Sequence, residues 1–272
     1  MLGPVPDDDV YTHGHHDAVL RSHRWRTAGN SAAYLLPHLR PGLDLLDVGC
    51  GPGTLTVDLA GRVAPGRAVG VDTSPEVVAA AADHAREAGA TGVEFVAGDF
   101  RDVGLPAAGF DIVHAHQVLH HLRDPVGGLA AMAGLTRPGG LVAARESDYG
   151  AMVWYPASDA LERWAEVYQA VARRNGAEPN AGRHLLRWAR EAGLTDATYS
   201  TSTWTFATPE DRAWWGESWA ERITATAVAT QAVQYGVATE DELVALGAGW
   251  RAWAADPAGV FTIVHGEVVA RI

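Results

Sequence analysis

The sequence predicts an α/β fold: a doubly wound, mostly parallel seven-stranded sheet with helices on both faces, a leading helix, and a helical insertion before the last strand. Three observations point there. From residue 43 onward short apolar runs alternate with amphipathic stretches, a glycine-rich turn follows the first run, and nine of the ten tryptophans lie beyond residue 150. Strands separated by helices of about 10 to 15 residues imply βαβ units with parallel pairing and right-handed crossovers.

Residues 18–38, from Ala18 through Trp25 to Leu35 and Leu36, carry helical spacing, and Pro37, Pro41 and Gly42 close that segment. LDLLDVG (43–49) is a short apolar run bounded by glycine, the pattern of a buried strand, and TLTVDLAGRV (54–63) follows with helical spacing. RAVGVD (67–72) is the second strand. Ser74 as N-cap, Pro75 in the first helical position and Glu76 in the first turn open a helix through Arg86. VEFVAGD (93–99) and FDIVHA (110–115) are further strands, a helix runs from about Pro125 to Leu135, and LVAARE (141–146) follows the turn Arg137-Pro138-Gly139-Gly140. Beyond residue 150, helical patterns at 157–174 and 183–192 precede a strand at 197–206, and the β-branched GVFTIVHGEVVARI supplies the last strand. The stretch 208–255 between those two strands far exceeds a hairpin connection. It reads as an insertion, either a lid or an oligomer contact that would make a homodimer.

Composition removes several function classes. The 21 basic residues are all arginine, so Schiff-base chemistry, a P-loop lysine and a lysine general base are excluded. A net charge of −12, with arginines scattered singly, argues against a nucleic-acid partner. Cys50, the single cysteine, forbids an intramolecular disulfide and a cysteine zinc cluster, which suits a reducing compartment. The acidic start and the lack of any run near the roughly 18 apolar residues of a span argue against a signal peptide or stable membrane anchoring, and the expected location is cytoplasmic.

Ligands of such sheets sit at the carboxyl ends of the strands. There the sequence places Asp47-Val48-Gly49-Cys50-Gly51-Pro52-Gly53-Thr54, a strand entering a glycine loop that opens a helix. A dinucleotide fingerprint needs a third glycine where Thr54 stands, and the Asp47 carboxylate suits a cation better than a pyrophosphate. Asp72, ending the second strand, can accept both hydroxyls of a ribose, and Gly98-Asp99-Phe100, after the third, can meet an adenine. The set specifies a nucleoside without a pyrophosphate.

With Phe110-Asp111-Ile112-Val113, Val118-Leu119-His120-His121-Leu122, Asp124-Pro125 and Arg137-Pro138-Gly139-Gly140 in order, residues 40–147 resemble the class I S-adenosylmethionine-dependent methyltransferases, in the branch related to quinone-biosynthesis C-methyltransferases. The resemblance implies a Rossmann-like sheet with S-adenosyl-L-methionine as cofactor and S-adenosyl-L-homocysteine as product. It implies that Gly49 and Gly51 serve the methionyl part, Asp72 the ribose, Asp99 and Phe100 the adenine, and His116 and Gln117 the ligand wall, with Asp47, Cys50, Thr73, Ser74 and Gly98 among the cofactor-binding residues. It makes residues 1–40 a lid segment closing over the cofactor, with Tyr11 and Arg26 (and His16 or Arg24) at the pocket. Residues 41–272 then form the methyltransferase domain, with a cofactor half at 41–147 and acceptor or lid elements at 148–195 and 208–255.

Methyl transfer asks mainly for alignment, and for a base only when the acceptor must lose a proton. The base candidates after the fourth and fifth strands are His116, His120, Glu146, Asp148 and Tyr149, with histidine favoured on pKa grounds. Twelve histidines also raise the question of zinc, with His13, His15 and His16 clustered and His114 and His116 on one side of a strand. In the resembled family the His120-His121 pair serves packing and pocket shape, and no metal is expected. The aromatic segment 149–156 and the tryptophans of 204–253 suit a flat or hydrophobic small-molecule acceptor, methylated at carbon, oxygen or nitrogen by in-line displacement. Two alternatives stand beside it: a protein or RNA methyltransferase with a basic groove, and a catalytically silent cofactor-binding protein acting in an oligomer.

Overall fold

A computed structural model describes residues 24–272. Seven strands form one sheet in the order β3-β2-β1-β4-β5-β7-β6. These are β1 (Leu45–Val48), β2 (Ala68–Asp72), β3 (Val93–Ala97), β4 (Phe110–His116), β5 (Thr136–Tyr155), β6 (Thr198–Phe206) and β7 (Val260–Arg271). β1 to β5 run parallel, and β7 lies antiparallel between β5 and β6.

The strands are short where both faces are covered. Leu45 and Leu46 point to opposite sides, and each reaches a separate core. On one side Leu45, Ile112, Leu141 and Ala143 pack against Leu55, Leu59 and Val63 of α2 (Thr54–Val63) and against Ala28 and Leu35 of the leading segment. On the other side Leu46, Val113, Val142 and Val268 pack against Leu129 and Met132 of α4 (Pro125–Leu135) and Leu185 and Ala189 of α6 (Leu185–Glu191). α3 (Pro75–Glu87) begins where the sequence places it, with the Ser74 hydroxyl accepting the Val77 amide.

Two elements differ from the sequence reading. The described part of 18–38 is not one helix. Thr27 caps a single turn, α1 (Ala28–Ser31), by a capping box with Asn30, and a short 3₁₀ turn follows at Leu36–His38. Gly29 and Asn30 are poor helix formers and Pro37 has no amide to donate, so the leading segment turns instead of continuing. β5 is also far longer than 141–146, because after an irregularity between Asp148 and Val153 it pairs again with β7 through Trp154 and Tyr155.

α5 (Asp159–Arg174) precedes α6, and the insertion holds α7 (Pro209–Ala225), α8 (Ala227–Gln234) and α9 (Glu240–Ala255). Much of the insertion is core. Trp215, Trp219, Trp250 and Trp253 are buried with Trp164, Tyr168 and Phe261. Trp164 meets Trp219 and Trp250 edge-on, with ring centroids 4.5 and 4.8 Å apart, the geometry in which aromatic quadrupoles attract. No helix among the described residues is long and apolar enough to cross a membrane.

Candidate active site

The loop between β1 and α2 turns through left-handed conformations at Gly49 (φ +67°), Gly51 (+54°) and Gly53 (+79°). A Cβ on Gly49 would lie 2.4 Å from Val118 Cγ2, so bare backbone is required there. Beside the loop, Asp72 Oδ2 accepts the Gly51 amide and Oδ1 the Ser74 amide, both at 3.1 Å. Four hydrogen-bond sites on a carboxylate leave room for further donors, and Asp72 and Thr73 are not buried. This open cradle with an acidic rim fits a nucleoside bearing a cation.

Asp47 lies elsewhere. It is buried in the sheet, where Oδ2 accepts the Thr56 hydroxyl at 2.6 Å and Oδ1 pairs with His114 Nδ1 at 2.8 Å. It anchors the loop from behind. The Cys50 thiol is buried and its pKa is pushed up, chiefly by desolvation. Gly98 (φ +150°) ends β3, and a Cβ there would strike Val103. Asp99 is held by the Arg101 guanidinium, which lowers its pKa, and Phe100 is buried below it.

On the other side of β1 and β4 a pocket opens, with about 560 Å³ of empty space, part of it continuous with solvent. Its walls are Trp25 and Arg26 from the leading segment, Gln117, His120 and His121 after β4, Ser147, Tyr149 and Met152 on β5, Trp204 and Ile263 on β6 and β7, and Trp214, Trp215 and Arg222 on α7. The leading segment is pinned over it. Trp25 packs against Trp204, Trp214 and Phe206 at 5.2, 5.6 and 5.8 Å, and the Trp204 indole donates to the Asn30 carbonyl at 2.6 Å. Gln117, at φ +56°, accepts from Arg26 Nη2 at 2.6 Å and reaches His265 Nε2 at 3.0 Å.

A family profile described as a methyltransferase domain matches residues 39–193. The chain belongs to the class I S-adenosylmethionine-dependent methyltransferases. It is 32% identical to an uncharacterised methyltransferase of Schizosaccharomyces pombe over 97% of both chains. It is 36% identical to the ubiquinone biosynthesis O-methyltransferase of Cereibacter sphaeroides, over 37% of this chain and 40% of that protein. The same fold occurs in phosphoethanolamine N-methyltransferase 2 of Haemonchus contortus, with TM-score 0.58, 16% identity, and coverage of 94% of this chain and 57% of that one.

Within this methyltransferase the base candidates fall in different places. His116 is buried and does not line the pocket, its ring nitrogens have no hydrogen-bond partner, and burial, with Arg26 and Arg145 nearby, pushes its pKa well below the ordinary value. Asp148 is gripped by the Arg183 guanidinium at 2.6 Å through both oxygens. Tyr149 lines the pocket, but burial drives its phenol up to about 12, and its ring stacks on Tyr168 at 4.1 Å. His120 lines the pocket with a carboxylate behind it. Glu146, fully buried, accepts the Val118 and Leu119 amides at 2.8 and 2.7 Å through Oε1 and holds His120 Nδ1 at 2.5 Å through Oε2.

Glu146, itself a base candidate from the sequence, stands behind His120 and does not line the pocket. It sits in β5, as the sequence places it, while Arg145 turns to the opposite face and bonds Glu267. Arg222 was not singled out at all, because nothing in the spacing of the insertion separates a pocket arginine from a surface one. Tyr11, His13, His15 and His16 lie outside the described residues. Among the described residues no group of three or more His, Cys, Asp or Glu is placed to hold a metal ion.

Proposed function

We propose that this methyltransferase methylates a protic oxygen or nitrogen of a small, flat acceptor held in the aromatic pocket, with His120 as general base and Glu146 as its positioning residue. The observation that carries the reading is the buried Glu146–His120 pair facing a pocket that shares Gln117 with the end of β4. The bound cofactor supplies a methyl group on a sulfonium whose leaving group is already good.

The chain's residues then bind, orient and move one proton. The Gly49–Gly51 backbone, with Cys50, would carry the methionyl part. Asp72, with Thr73 and Ser74, would take the ribose, and Gly98, Asp99 and Phe100 the adenine. Arg26 and Gln117 would stand between the two compartments, and trimming residues 1–16, with Tyr11, should weaken cofactor binding if the leading segment closes the site. With Glu146 Oε2 on Nδ1, the imidazole proton is assigned to Nδ1 and the lone pair to Nε2. Nε2 receives the acceptor's proton, and the buried carboxylate balances the imidazolium that forms. Trp25, Trp204, Trp214 and Trp215 exclude water and favour a planar acceptor.

The test measures S-adenosylhomocysteine formation from a panel of hydroxylated aromatics. His120→Ala should lower kcat by about 100-fold or more with cofactor Kd unchanged. Glu146→Gln should lower kcat less, because an amide can still orient the imidazole without carrying the charge. An unchanged kcat in His120→Ala would sink the reading.

A further inference from the structure

We infer that Gln117 is a positioning residue for methyl transfer: its side-chain amide, seated on His265, fixes Arg26 of the leading segment where the glycine loop meets the aromatic pocket. The inference rests on the cofactor lying in the glycine loop and not on which acceptor is used. Gln117 stands at that join. It lines the pocket, while its neighbour Val118 packs so closely on the loop that a Cβ on Gly49 would lie 2.4 Å from Val118 Cγ2. The Gln117 amide donates to the Arg145 carbonyl at 2.8 Å and the next two amides to Glu146, so the turn that carries His120 begins at Gln117.

Two observations give the side chain a task. The backbone at Gln117 is left-handed (φ +56°), a conformation that glycine takes freely and glutamine does not. Such strain gathers at functional sites, where the side chain is needed for something else. The second observation is that both ends of the side-chain amide are engaged, and in one orientation. Arg26 Nη2 donates to Oε1 at 2.6 Å, so the NH2 group faces His265 Nε2 at 3.0 Å. That group donates, so His265 Nε2 must carry the lone pair and the ring proton belongs on Nδ1. A charged His265 would set N–H against N–H and break the bracket. Its surroundings oppose that charge. Burial comes first, then Arg145 of β5 and Arg26, with His120 last, against a smaller opposite effect of the Ile263 backbone. His116 of β4 stacks on the ring at 6.4 Å and Trp204 of β6 meets it edge-on at 4.5 Å. The leading segment has other holds through Trp25 and Asn30, so loss of the bracket displaces Arg26 without releasing the segment.

The test needs no acceptor. It combines calorimetry with S-adenosylhomocysteine, thermal unfolding and NMR of the histidine ring nitrogens, all on the full chain. Gln117→Gly is expected to raise the Kd at least about five-fold with little change in Tm, since relief of the left-handed backbone offsets the lost hydrogen bonds. A merely structural residue would show the reverse, a lower Tm with the Kd kept. Gln117→Glu keeps an acceptor for Arg26 but has no N–H for His265. Its Kd should therefore be weak near about pH 8 and recover as pH falls towards about 6 and Nε2 takes up a proton, a trend absent from the wild type. The wild-type spectrum, with His265 assigned by its loss in His265→Gln, should show the Nδ1–H tautomer across that range. An unchanged Kd in Gln117→Gly, a Kd of Gln117→Glu that does not improve as pH falls, or a wild-type His265 protonated on Nε2 overturns the inference. The last of these decides even if neither variant folds. If Asp72→Ala loses the cofactor while Gln117→Gly keeps it, only this inference fails; if both keep it, the cofactor site itself is misassigned and the inference falls with it.

Discussion

Asp72 and Gly49 show how single residues divide the work of the glycine loop. The Asp72 carboxylate sits half-buried at the end of β2 and already fixes the Gly51 and Ser74 amides. Asp72→Ala is expected to raise the cofactor Kd by at least about ten-fold through loss of charged acceptors, read by calorimetry; equal binding would remove Asp72 from the site. Gly49 answers to sterics alone. Gly49→Ala sets a side chain at φ +67° against Val118, and should cost about 1–3 kcal/mol of stability and distort the cradle. Thermal unfolding checks the first effect and cofactor titration the second. Both residues were legible in the sequence because a glycine loop after a strand has few structural uses. Asp47 was legible as a strand-end acid but not as the partner of His114 and Thr56, since that contact joins residues 67 and 9 positions apart.

At the level of elements, caps and apolar periodicity were reliable where they were local. Ser74, Asp124 and Thr208 each accept an amide of the helix they open. Ser74→Ala should cost about 1 kcal/mol, visible as a small drop in Tm. The leading segment misled because apolar residues at helical spacing also suit a one-turn helix followed by a 3₁₀ turn packing Ala28, Ala32 and Leu35 on the sheet. The length of β5 was hidden for a different reason. The apolar run ends at Glu146, whereas pairing of Val153–Tyr155 with β7 is a contact with residues 260–262. In the insertion, Trp250 is fully buried between α5 and α7, touching Trp164, Trp219, Trp253 and Phe261. Trp250→Ala should cost about 3–5 kcal/mol, measured by denaturant unfolding; a loss under 1 kcal/mol would mean that the insertion is not core.

Across the whole molecule, two buried histidines link stability to pH. His116 and His265 have pKa values well below the ordinary one, chiefly from burial and then from Arg26 beside His116 and Arg145 beside His265. The unfolded chain therefore binds more protons in the interval below about pH 6.5, and stability rises with pH there. The contribution is complete above that value and is lost as pH falls, at up to about 1.4 kcal/mol per pH unit for each histidine. Tm followed from pH 7.5 to 5.5 should decline, and His116→Phe should shallow the slope; a flat profile would refute the linkage.

By itself the sequence determined the order of strands and helices, the family, and the glycine loop after β1, because each depends on neighbours a few residues apart. Only the tertiary structure decided the aromatic pocket. It carried Glu146 to His120, separated His116 from the pocket, closed Asp148 onto Arg183, and set Arg222 against Trp219 in a wall built from six segments. Those contacts are chosen by how helices and strands pack on the sheet, and packing distances are not written in spacing along the chain.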